Sequence, residues 1–134
     1  MKLLGIDPGL NTGVAYFVDG ELRDLTTIKP WDMETELTLR EPDYLFFEDS
    51  RMQGMFRMLG ARQVGETDAW CRMLVALCER CDIDSIGVSP KQKGRKLNAA
   101  EFRELTGWTG QTNQHERDAV MVAWPYRNSS RGNA

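Results

Sequence analysis

Leu3-Leu4-Gly5-Ile6-Asp7-Pro8-Gly9 opens the chain as a nearly unbroken apolar run that ends on a carboxylate and a turn. Such a run reads as a central strand covered on both faces. The same shape recurs at Tyr44-Leu45-Phe46-Phe47-Glu48, again apolar and again closed by an acid. An acid at the end of a buried strand is costly unless something compensates its charge. A third acid, Asp118 in His115-Glu116-Arg117-Asp118-Ala119, falls on the first turn of an expected helix. If the three converge, divalent metal is the simplest compensation, and it also does chemistry on phosphates.

Working outward, Pro8-Gly9 is a turn signal and residues 12–18 read as a second strand. Asp19-Gly20 is a two-residue hairpin turn, so residues 21–28 return as a third. A helix is expected from Pro30 to just before Pro42, then a strand over 43–48. A loop from Asp49 to Phe56 leads into a long helix reaching about Cys81. Its stripe is Trp70, Met73, Leu74, Leu77, Cys78 and Cys81, widened by Cys71, Val75 and Ala76. Residues 83–89 form a fifth strand, followed by a basic loop and helices over 98–106 and 113–124. Hairpin logic puts strand 2 antiparallel beside strand 1, and a crossover puts strand 4 parallel on its other side. The expected fold is α/β, a five-stranded mixed sheet of order 3-2-1-4-5 with strand 2 antiparallel, flanked by helices. One domain spans 1–127, with a polar tail at 128–134. Ligands in open α/β sheets bind beyond the carboxyl ends of the strands, where the order reverses. Asp7 and Glu48 should therefore stand side by side at that edge.

Bulk properties narrow the function classes. The 134 residues suffice for one domain with a real core, and 41% hydrophobic with 28% charged residues suits a soluble globular protein. The chain opens directly on a strand-like run, and no apolar stretch approaches the roughly 20 residues of a membrane helix. A cytoplasmic location and no membrane partner are expected. Three cysteines, an odd number, argue against a disulfide scaffold, and Cys78-Glu79-Arg80-Cys81 lacks the further ligands of a zinc site. The net charge of −3 speaks against nucleic acid, but its distribution does not. Residues 1–50 carry eleven acids and four bases, whereas residues 51–134 carry nine acids and thirteen bases. An acidic catalytic edge beside a basic contact surface would look like this; so would a merely solvated acidic face over 19–43.

Four motifs in order resemble those of the RuvC-type Holliday-junction resolvases, members of the RNase H-like nuclease superfamily. Gly5-Ile6-Asp7-Pro8-Gly9-Leu10-Asn11-Thr12-Gly13 resembles the first-strand motif, and Glu48 ends the fourth strand as the family's second acid does. Val88-Ser89-Pro90-Lys91-Gln92-Lys93 resembles the basic loop after strand 5, and His115-Glu116-Arg117-Asp118-Ala119 the final metal-binding helix. The resemblance implies an RNase H-like fold and a short, minimal, phage-encoded member of the family. It also implies a homodimeric endonuclease that nicks four-way branched DNA symmetrically, in a bacterial or phage-infected cell. Mg²⁺, two ions per active site, is the implied cofactor.

In that scheme Asp7 bridges the two ions, Glu48 holds one and Asp118 the other. His115, three residues before Asp118 on the same helix face, would ligate metal or orient the attacking water. An imidazole ligand favours Mn²⁺ over Mg²⁺. Asn113 and Glu116 could form a capping box that fixes this first turn, and a capping or solvent-facing histidine is the alternative reading. Asp7 could equally be a turn-forming Asp-Pro-Gly, Glu48 a strand-end surface acid, and Asp118 an acid favoured by the helix dipole. Lys91, Lys93, Arg95 and Lys96 put four bases in six residues, suited to DNA phosphates. Lys93 and Lys96 best match the family lysines near the scissile phosphate. Arg51 and Arg57 suit a DNA-facing surface. Phe56 either stacks on a base or begins the core stripe of the long helix. Three other readings compete. One is an RNase H-superfamily nuclease acting on other branched DNA, RNA or hybrids, and another a non-catalytic dimer that binds branched DNA. A sugar-kinase or actin-like ATPase would need two such domains.

Overall fold

The computed structural model describes the backbone of residues 1–52 and 61–128, with side chains from residue 65 onward in the second stretch. The strands are β1 (Lys2–Asp7), β2 (Thr12–Val18), β3 (Glu21–Ile28), β4 (Tyr44–Glu48) and β5 (Asp84–Val88). The helices are α1 (Met33–Arg40), α2 (Ala61–Arg80), α3 (Pro90–Lys93), α4 (Ala99–Thr106) and α5 (Gln114–Ala123). The strands form one sheet of order β3-β2-β1-β4-β5, with β2 antiparallel to both neighbours and β4 parallel to β1 and β5. Fold class and strand order are as the sequence implies. At the β2–β3 hairpin Asp19 (φ 51°) and Gly20 (φ 82°) both take the left-handed conformation that a tight two-residue turn demands.

Alternation along the strands sorts side chains onto two cores. Leu3, Tyr44, Phe46 and Val88 face α4 and α5, packing with Phe102, Ala119, Val120, Val122 and Ala123. Leu4, Ile6, Leu45 and Phe47 face the opposite way, onto Met33, Leu37, Cys71, Leu74 and Cys78 of α1 and α2. Val75, Leu77 and Cys81 also pack partly against this second core. Much of the widened stripe of the long helix is therefore used within the chain. The cysteines are free, Cys71 and Cys78 buried, as small apolar residues.

Two glycines set the height of α5. A Cβ on Gly5 would lie 2.2 Å from the Ala119 carbonyl oxygen, and one on Gly13 would lie 1.9 Å from that of His115. The helix backbone thus rests directly on β1 and β2, and its first turn sits over the carboxyl end of β1. The stretch after β5 is not simply a loop, because Ser89 caps a helical turn with Pro90 in its first positions and Gln92 closing a capping box. Phe56, Arg57 and the expected start of the long helix lie outside the described residues. Among the described residues no helix is long and apolar enough to cross a membrane.

Candidate active site

Period-2 alternation decides which edge acids meet. Asp7 follows Leu3 and Gly5, and Glu48 follows Tyr44 and Phe46, so both face α5. The parallel register runs Leu3↔Tyr44 to Ile6↔Phe47, which makes Asp7 and Glu48 the next neighbours. Asp118 comes down onto them from α5, 4% exposed. Glu48 shares a hydrogen bond with Asp7. Burial, then the negative charges of Glu48 and Asp118, push the Asp7 carboxyl up to about 8, and Lys93 offsets only part of this. A carboxyl group displaced this far is one that is buried and then crowded by other acids with too little positive charge.

The structure brings Lys93 into the middle of the acids rather than onto an outer surface. Its side chain is 4% exposed, with Nζ 3.5 Å from Glu48 Oε2 and 3.4 Å from Asp118 Oδ1. The capped turn of α3 aims this side chain inward, and Gly94 (φ 86°) lets the chain leave sharply behind it. Lys96 Nζ, mostly exposed, reaches to 3.6 Å from Asp118 Oδ2. The Nδ1 atom of half-exposed His115 lies 3.5 Å from Asp7 Oδ2. The capping box at the start of α5 forms as the sequence suggests, Asn113 accepting from the Glu116 amide and Glu116 from that of Asn113. Asp118 Oδ1 also accepts a 2.9 Å bond from Gln114 Nε2.

The other candidates among the described residues stay apart from this cluster. Arg51 folds back onto Asp49, its Nε and a terminal nitrogen each 2.8 Å from a carboxylate oxygen, so its guanidinium is already engaged. Arg95 pairs with Glu101 at the surface. Lys91 is exposed on the α3 turn. The sequence reading missed Gln114, although glutamine four residues before an aspartate on one helix face is a recognised pairing. It also missed Gly5 and Gly13 as the seats of α5.

Among the described residues, no three His, Cys, Asp or Glu side chains are gathered tightly enough to hold an ion as they stand. The donor set nevertheless suits one. Three carboxylates supply the oxygen ligands that hard divalent cations prefer. The Lys93 ammonium, touching two of them, stands in for part of the missing positive charge.

Comparison with solved structures matches this fold nearly end to end. The RuvC of Thermus thermophilus in complex with Holliday junction substrate aligns with a TM-score of 0.70 and 17% identity, over 98% of this chain and 96% of that one. A second structure of Thermus thermophilus RuvC aligns with a TM-score of 0.69 and 18% identity, over 100% and 98%. The chain therefore has the RuvC-type, RNase H-like fold. No family model matches the sequence, and no curated protein does.

Proposed function

We propose that this protein is a divalent-metal-dependent endonuclease that resolves four-way DNA junctions by paired phosphodiester hydrolysis. One observation carries the reading. Asp7, Glu48 and Asp118 come from the start, middle and end of the chain and meet around Lys93, at the carboxyl edge of a RuvC-type sheet. A protein that only binds DNA gains nothing from three crowded acids facing phosphate, since like charges repel.

Asp7, Glu48 and Asp118 would hold Mg²⁺ or Mn²⁺. Two such ions would supply an activated water and stabilise the leaving oxygen of an in-line displacement. The chain's own residues do the rest. His115 beside Asp7 orients the attacking water or accepts its proton. Lys93 and Lys96 offer ammonium groups to the scissile phosphate, while Lys91 and Arg95 lie on the same segment for sequence-independent backbone contact. Phe56 and Arg57 belong to the segment after β4 that would meet the bases and strands at the crossover. One acid cluster per chain and two nicks per junction call for a homodimer, which light scattering tests directly. A nuclease of DNA recombination would work in the cytoplasm of a bacterium or of a phage-infected host.

The decisive assay offers the protein synthetic four-way DNA, linear duplex, RNA and RNA–DNA hybrid in Mg²⁺ and in Mn²⁺. Symmetric paired nicks in the junction, with duplex and hybrid intact, are expected. Equal cutting of every substrate would replace junction resolution with a broader RNase H-type nuclease. No cutting, with tight junction binding unaffected by Asp7→Asn, would leave a binding module.

A further inference from the structure

Arg117 sits in the first turn of α5, where the helix dipole disfavours a cation. A charge placed against a local rule calls for a compensating role. Its partly buried guanidinium donates to four acceptors, all neutral. Nε bonds the Leu97 carbonyl at 2.9 Å, and one terminal nitrogen bonds the Thr112 carbonyl at 3.0 Å and the Thr112 hydroxyl at 2.9 Å. The other terminal nitrogen bonds Gln114 Oε1 at 3.2 Å. Among the described residues Arg117 makes no ion pair of its own.

The fourth contact continues into the site. With Oε1 taken by Arg117, the amide of Gln114 must turn Nε2 the other way, and that nitrogen donates to Asp118 Oδ1 at 2.9 Å. A guanidinium can only donate and a carboxylate can only accept, so the two ends fix one amide orientation. The chain of bonds polarises in one direction, from the Arg117 charge toward the Asp118 oxygen. The Leu97 contact does a second job, because residue 97 ends the segment that carries Lys93 and Lys96. One side chain therefore ties the lysine segment, the loop before α5 and the amide that orients Asp118.

We propose that Arg117, acting through Gln114, is a positioning residue that fixes the Asp118 carboxylate and the lysine segment relative to each other. This deepens the metal-nuclease reading and rests on it. Replacing the hydrogen-bond partner of a metal ligand typically costs about 10–100-fold in metal affinity or activity.

The test uses the full chain, Gln114→Leu, Arg117→Met and the double variant. Gln114→Leu removes both bonds of the glutamine amide but leaves the Leu97 and Thr112 bonds of Arg117, so the Tm should hold. Mn²⁺ affinity, read by the electron-spin signal of free Mn²⁺, should nevertheless fall about ten-fold. On a four-way junction kcat should fall with KM unchanged. Arg117→Met should match that loss of Mn²⁺ affinity and also lower the Tm, and the double variant should lose no more than Arg117→Met. Parent-like Mn²⁺ affinity in Gln114→Leu, or additive losses in the double variant, would overturn the relay. A second readout needs no metal. The Gln114 side-chain amide protons should resonate apart from free glutamines and exchange slowly, and Arg117→Met should abolish both properties. If the parent binds no Mn²⁺ at all, the nuclease reading fails, and the amide signals alone decide the relay: signals unmoved by Arg117→Met refute it, and signals lost support it.

Discussion

Glu48 and Asp49 are neighbours in sequence at the same sheet edge, yet they fall on opposite faces and are treated in opposite ways. Asp49, 6% exposed, faces α2. Arg51 clasps it with two side-chain bonds and a third from its backbone amide, and these bonds hold the Asp49 carboxyl below its ordinary value. Glu48 faces α5, where three acids share mainly the ammonium of Lys93, and Asp7 beside it is pushed up to about 8. The face with matched charge is stable as it is. The face with too little positive charge would be relieved by a cation, as the proposed metal site requires.

The largest expected contrast is in catalysis. Asp7→Asn or Glu48→Gln should reduce junction cleavage by about 10³-fold or more in single-turnover assays. Asp49→Asn, one residue away, should change it by no more than a few-fold. A comparable loss in Asp49→Asn would erase the distinction between the faces.

Packing gives the next contrast. Gly13→Ala drives a methyl into the His115 backbone and should cost about 1–3 kcal/mol in urea unfolding while displacing the first turn of α5. Gly87→Ala, whose Cβ would meet the Asp49 side chain at 3.0 Å on the other face, should cost less, because a side chain can shift where a backbone cannot. Equal costs would mean that α5 is not seated on the sheet as tightly as its contacts require.

Removing one partner of the Asp49–Arg51 pair comes next. Arg51→Ala leaves the buried Asp49 carboxylate short of donors and should cost about 1–2 kcal/mol, with cleavage chemistry retained. A large rise in KM for the junction would return Arg51 to the DNA surface where the sequence reading put it.

In pH dependence the two faces separate by sign. Asp7 titrates near 8 when folded and near 3.8 when unfolded, so between those values the fold holds a proton that the unfolded chain has lost. Stability of the metal-free protein should therefore fall as pH rises from about 4 to 8, and Asp7→Asn should flatten that limb. Asp49 titrates below its unfolded 3.8, so its contribution is present above that value and lost as pH falls through the folded one. Asp49→Asn should flatten only the acid limb. Tm measured across pH with a chelator present checks both, with shifts of several degrees.

Much of this was legible in the sequence because it is local. Apolar runs ending on Asp7 and Glu48, the Asp19-Gly20 turn and the Asn113/Glu116 box each follow from a few consecutive residues. Parity along β4 could also have separated Glu48 from Asp49. What escaped depends on partners far apart in the chain. The resemblance marks Lys93 and Lys96 as lysines near the scissile phosphate, but the burial of Lys93 between Glu48 and Asp118 shows only once the Ser89-Pro90-Lys91-Gln92 cap is seen to turn it inward. Gly13 reads as part of a turn motif until α5 rests on it. Arg51 reads as a base suited to a DNA-facing surface until it is seen to clasp Asp49, two residues upstream. Arg117 carries no local signal except that it opposes the helix dipole.

If the proposed site is real, the α5 face, not the α2 face, collects cations. Crystals of the protein soaked in Mn²⁺ and measured at the manganese absorption edge would show which. Anomalous peaks should lie about 2.0–2.3 Å from carboxylate oxygens of Asp7, Glu48 and Asp118, with the Lys93 ammonium moved off Glu48. Manganese bound instead at Asp49 and Asp68, or no ordered manganese near Asp7 at any soaking concentration, would contradict it.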